Sequence, residues 1–213
     1  MLALLAALAM ATPATAAEDG DAAEFTGETV TAATTAETLE TCSDPEVAPL
    51  LQDFKDDGLY FVAPGGDFEE GADGWQLEGG AEIGPGSSAF SPLGSGQGSL
   101  RLPAGSAATS PAFCVDERYP HFRISVGQLG DKKARVQVSV VYPGLAKNVR
   151  READVDADDK HPWKLSKRLN LKPNHGRRVG GWRLVALRFE VLKAEAGADA
   201  RVDDVLVDTR MRY

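Results

Sequence analysis

Downstream of residue 120 the chain alternates apolar and polar residues with a period of two. "HFRISVGQ" sets Phe122, Ile124 and Val126 against Arg123 and Ser125, and "ARVQVSVVY" sets Ala134, Val136, Val138, Val140 and Tyr142 against Arg135, Gln137 and Ser139. "WRLVALRFEVL" groups Val185, Leu187, Phe189 and Val191 on one side, "ARVDDVLVD" continues in the same style, and "WKLSKRLNL" and "GSLRLPAG" add shorter runs. Successive side chains of a strand point to opposite faces, so each run predicts a strand with one buried face. Gly, Pro, Asn and Asp turns between the runs predict an all-β protein, an antiparallel β-sandwich. One stretch has a different period. In "DPEVAPLLQDFKDDG" Val47, Leu50, Leu51 and Phe54 share a helical face, with Asp44 as a cap and Pro45 at the first position, which is compatible with a short helix near residues 45–55. There is no repeat period.

The first forty residues do not belong to this pattern. "MLALLAALAMATPATAA" carries the apolar core and small-residue cleavage site of a secretory signal peptide over 1–16, although no Lys or Arg precedes the apolar run. The run is too short to span a bilayer, and no other stretch is apolar enough for a transmembrane segment. Residues 17–40 read as a disordered acidic leader rich in Ala and Thr, with Glu18, Asp19, Asp21, Glu24, Glu28, Glu37 and Glu40 and no basic residue. The leader therefore carries seven of the nine net negative charges, and residues 41–213, read as one sandwich domain, are nearly balanced. No block is basic or aromatic enough to argue for nucleic acid. Export to the extracellular space or cell surface is the expectation. There an even cysteine count favours one disulfide, Cys42 to Cys114.

Four segments occur in a telling order: "GGDFEEGADGWQLEGGAEI", "GQGSLRLPAGSAATSP", the alternating strands through "VSVVY", and "WRLVALRFEV" with "ARVDDVLVD". The set resembles the jelly-roll carbohydrate-binding modules of the galactose-binding-like superfamily over roughly residues 59–208. The resemblance implies a jelly roll with its chain ends close together. It also implies one structural calcium ion between Glu69 and Asp203, its shell completed by backbone carbonyls near Gly66 or Asp67. Hard oxygen ligands of this kind suit calcium. Gly65 replaces the usual Asn of that turn, and pairing of Glu69 and Asp203 with a cation such as Arg101 is the alternative. In the resembled family Phe68, Trp75 and Trp182 are core residues.

Sugar-binding jelly rolls stack pyranose rings on exposed aromatics. With Trp182 and Tyr142 assigned to the core, Trp163, Tyr119 and Tyr60 remain as candidate ligand-binding residues. Trp163 lies in the basic stretch "KHPWKLSKRLNLKPNHGRR", which suits an anionic polysaccharide or other envelope polymer, though a core Trp beside a solvated basic face is the alternative. "DVDADD", with Asp154, Asp156, Asp158 and Asp159, lacks the Gly and Glu of an EF-hand and reads as a solvated acidic turn. No G-x-S-x-G, HExxH or P-loop pattern occurs. The expectation is a secreted non-catalytic binding module for carbohydrate or another envelope polymer, the alternative a structural or protein-interaction sandwich without sugar affinity.

Overall fold

The computed structural model describes residues 42–88, 96–129, 132–144, 149–157, 163–192 and 197–212. The signal peptide over 1–16 and the leader over 17–40 lie outside the described residues, as do Asp158, Asp159 and His161.

The strands are β1 (Gly58–Val62), β2 (Gln76–Glu78), β3 (Glu82–Pro85), β4 (Gly98–Leu102), β5 (Ala107–Thr109), β6 (Phe113–Val115) and β7 (His121–Gln128). They continue with β8 (Ala134–Val141), β9 (Val149–Ala157), β10 (Trp163–Leu165), β11 (Leu169–Asn170), β12 (Arg177–Val179), β13 (Trp182–Val191) and β14 (Ala200–Arg212). They form two seven-stranded sheets. The first runs β10-β7-β14-β4-β3, with β1 also on β14 and β11 on β7. The second runs β2-β5-β13-β8-β9, with β6 and β12 on β13. Every pairing is antiparallel. The two sheets form the expected sandwich.

The period-two residues meet between the sheets. Phe122, Ile124 and Val126 of β7 share one core with Val136, Val138 and Val140 of β8 and Val185, Leu187 and Phe189 of β13, all fully buried. Phe68 and Trp75 close the same core: the Trp75 ring stacks on Phe189 at 6.0 Å, and its indole N–H donates to the Pro64 carbonyl at 3.2 Å. A buried aromatic thus keeps both its area and its polar edge satisfied.

In β14 the alternation breaks. Register shifts between Asp203 and Leu206, with Asp204 at φ 48°, so that Val202, Val205 and Val207 all join the main core while Leu206 faces away. Leu206 packs instead with Leu51 and Tyr60 in a satellite cluster on the outer side of the first sheet. The segment that covers this cluster is where a helix was expected. It contains a single 3-10 turn, Gln52–Phe54, because Pro49 interrupts the helical run and Ala48 forms a β-bridge with Tyr60. Asp44 does not cap it but pairs with Arg118. The Cys42–Cys114 disulfide fastens the same segment to β6.

Candidate functional site

The three aromatic residues singled out for sugar stacking lie inside the protein. Tyr60 is fully buried under the 48–57 segment and donates its hydroxyl to Asp56 at 2.9 Å. Tyr119 packs edge-on against Phe61 and directs its hydroxyl to Asp44 at 3.4 Å. Trp163 sits across from Gly127 on β7 and is 7% exposed. None of Trp163, Tyr119 and Tyr60 offers a free ring face, so the stacking platform expected from them is corrected. Tyr119 is covered by Asp44 and Trp182 and Tyr60 by the segment that precedes its strand, and a period-two pattern carries no sign of that cover.

Trp182 departs from expectation in the other direction. It is only partly buried, stacks on Tyr119 at 6.0 Å, and carries the Arg118 guanidinium over its ring at 5.1 Å. Arg118 is fixed in turn by Asp116 and Asp44.

The residues expected around calcium are partly assembled. Asp203 is 1% exposed and accepts hydrogen bonds from Ser87 Oγ at 2.9 Å, the Ser88 amide at 2.7 Å and the Asp204 amide at 2.8 Å. Burial, and then the charge of neighbouring Asp204, push its carboxyl up to about 7. No Lys, Arg or His among the described residues pairs with Asp203. Glu69 lies close by. A Cβ placed on Gly96 would fall 2.3 Å from Glu69 Oε1 and 2.6 Å from Ser87 Oγ, so Glu69 borders the same small space as the Ser87 hydroxyl that donates to Asp203. Glu69 itself accepts from the Gln97 and Gly98 amides. Gly66 is engaged elsewhere, its carbonyl accepting the Val205 N–H at 2.9 Å and its amide bonded to Ala63. Arg101 pairs with Glu82 and Asp199, which removes it as a partner of Glu69 or Asp203. The donor set of two carboxylates and a hydroxyl is all hard oxygen and fits a calcium ion chemically. Among the described residues no group of three His, Cys, Asp or Glu gathers around one point.

A third place draws on the basic stretch flagged in the sequence. At the end of the first sheet where β7 begins, an open cleft of about 400 Å³ is lined by Glu117, Pro120, His121, Asn170, Lys172, Pro173, Asn174 and Arg210. A narrower arm of about 120 Å³ shares Glu117, Pro173 and Asn174 with it and adds Asp116, Arg178, Gly181 and Arg183. Strand pairing brings the floor together, because Asn170 and Asp208 both stand across from His121. The 3-10 turn Pro173–His175 forms one wall, entered through Lys172 at φ 48°, a left-handed conformation uncommon for a side-chain-bearing residue. The His121 imidazole is held below its usual range by burial first, then by Arg168, Arg210 and Lys172, with Asp208 opposing them. Lys172 and Arg178 belong to the stretch flagged in the sequence. His121, Arg183 and Arg210 do not, and only the pairing of strand ends reveals them.

No helix among the described residues is long and apolar enough to cross a membrane. No family model and no curated protein matches the sequence. Among solved structures the chain is similar to the CBM22-1 xylan-binding domain of Xyn10C from Paenibacillus barcinonensis, at 16% identity and a TM-score of 0.44 over 81% of this chain and 100% of that one. It is also similar to TmCBM61 in complex with β-1,4-galactotriose, at 14% identity and a TM-score of 0.41 over 71% of this chain and 98% of that one. A third likeness is to the family 11 carbohydrate-binding module from Clostridium thermocellum, at 11% identity and a TM-score of 0.41 over 73% of this chain and 98% of that one.

Proposed function

We propose that this chain is an exported, non-catalytic module that binds carbohydrate or another cell-envelope polymer through the cleft at the end of the first sheet. The observation that carries the reading is the cleft itself. It is open and polar, it is large enough for a sugar unit, and its walls are rooted in paired strands on one side and a proline-stiffened turn on the other. The disulfide between Cys42 and Cys114 fits an oxidising compartment outside the cytosol. Within the same reading, one structural calcium ion is assigned to Glu69 and Asp203. The support is a buried carboxylate without a cationic partner beside a second carboxylate and a hydroxyl. Its task would be to hold the turn of "GGDFEEGADGW" against β14 by neutralising Asp203.

A second reading, a structural or protein-interaction sandwich without sugar affinity, is favoured by the burial of Trp163, Tyr119 and Tyr60. A pull-down of the purified protein on insoluble and immobilised polysaccharides, at low and physiological salt, separates the two. Retention that soluble polymer competes away supports the binding reading. Absence of retention across the panel leaves the structural one.

A further inference from the structure

We infer that the end cleft takes an anionic glycan, a polysaccharide whose carboxylate, sulfate or phosphate groups seat between Lys172 and Arg210 in the wide arm and between Arg178 and Arg183 in the narrow one. This rests on the binding reading above and gives it a ligand class.

The first argument is a contrast in how the arginines are used. Across the rest of the molecule many are matched to carboxylates: Arg101 to Glu82, Arg123 to Asp56, Arg151 to Asp154, Arg168 to Asp208 and Arg188 to Glu78. In the cleft none of Lys172, Arg178, Arg183 and Arg210 pairs with a carboxylate among the described residues. Arg183 donates only to the Gly176 carbonyl, at 3.0 Å. On the acidic side, Asp116 is committed to Arg118 and Asp208 to Arg168, so among the lining residues Glu117 is the other acid beside the four cations.

The second argument is the cost of the arrangement. Arg178 stands directly opposite Arg183 across the β12–β13 hairpin, and like charges in that position oppose pairing. Lys172 occupies a left-handed turn position at φ 48° that a glycine would adopt without strain. The first feature opposes the isolated fold and is relieved when an anion sits between the two guanidinium groups; the second sets the direction in which Lys172 leaves the turn.

The ligand class follows from what surrounds the charges. Single-stranded nucleic acid is held by open aromatic stacking platforms. Here no Phe, Tyr or Trp lines either arm among the described residues, and Trp182 beside the narrow arm spends one ring face on Tyr119, with Arg118 against both rings. Asn174, exposed beside Lys172, offers amide donors and an acceptor suited to sugar hydroxyls.

The test measures binding of the full chain to polygalacturonate, to its fully methyl-esterified form, to dextran sulfate and dextran, to a phosphorylated dextran, and to single-stranded DNA, by calorimetry at two salt concentrations. The expected result is binding to at least one charged glycan that weakens with salt, and weak or absent binding to its neutral counterpart. The charged arm that binds best identifies the substituent. Lys172→Ala, Arg178→Ala and Arg210→Ala should each weaken that binding about tenfold, the loss expected for one charge-assisted contact. Lys55→Ala and Lys164→Ala, which remove the same charge elsewhere on the surface, should change it less than twofold. Equal binding of charged and neutral glycans, unaffected by the cleft variants, overturns the anionic class and leaves the polymer-binding reading standing. Retention of no glycan at all overturns both. DNA bound as tightly as the best glycan overturns the glycan assignment.

Discussion

Arg168 Nε lies 2.7 Å from the carboxylate of Asp208, which is 1% exposed, and the other arm of the same guanidinium reaches Asp56 at 3.1 Å. The pair joins the 48–57 segment to β14 across the outer side of the first sheet. Arg168→Ala leaves Asp208 buried without that partner. Because Arg168 is itself partly exposed, the expected destabilisation is about 2 kcal/mol, below the range for fully buried pairs. Urea denaturation checks it, and Asp208→Asn in the Arg168→Ala background should recover part of the loss.

The Cys42–Cys114 bond closes a loop with a sequence separation of 72. Restricting the unfolded chain over that length contributes roughly 4 kcal/mol in the entropic model. Cys42→Ser with Cys114→Ser should lower stability by that order, and reductant should do the same to the native protein without further effect on the double variant. Thermal melts with and without reductant give the comparison.

Trp75 packs on Phe189 and Phe68 while its indole holds the Pro64 carbonyl. Trp75→Ala should cost about 3–5 kcal/mol, as large-to-small core changes do. Trp75→Phe should cost less, retaining ring contact and losing only the hydrogen bond. Neither variant, where folded, should alter polymer affinity, since Trp75 lines neither arm of the cleft.

Asp203 gives a pH dependence of defined sign. In the metal-free folded protein its carboxyl keeps its proton up to about 7, whereas an unfolded aspartate releases it near about 4. Between those values the folded state binds the extra proton, so stability falls as pH rises through that window and is level above it. Asp203→Asn should flatten the fall. Millimolar calcium should raise the melting temperature of the native protein above pH 7 and leave Asp203→Asn and Glu69→Gln unmoved. An unchanged native melting temperature would remove calcium from the account.

The inward faces of β7, β8 and β13 were legible because strict alternation over eight or more residues leaves few alternatives to a half-buried strand. In "VDDVLVD" the same rule misplaces Leu206, since the backbone bends at Asp204 and the period slips by one. Exposure of single aromatics was not legible. Tyr119 is covered by Asp44 and Trp182, and Tyr60 by the 48–57 segment, contacts that pattern along the chain does not encode. The cleft was half legible. Its Lys172 and Arg178 stood out in a run of basic residues, while His121, Arg183 and Arg210 arrive from three other segments.

β14 pairs with β7, β4 and β1, and it is the last described strand in chain order. The first sheet therefore has no centre until residues 200–212 are available. Every earlier strand of that sheet waits with an open edge, and contacts so distant in sequence form slowly. The middle of the first sheet is therefore the last part of the sandwich to assemble in chain order, and it closes only once β14 drops into place.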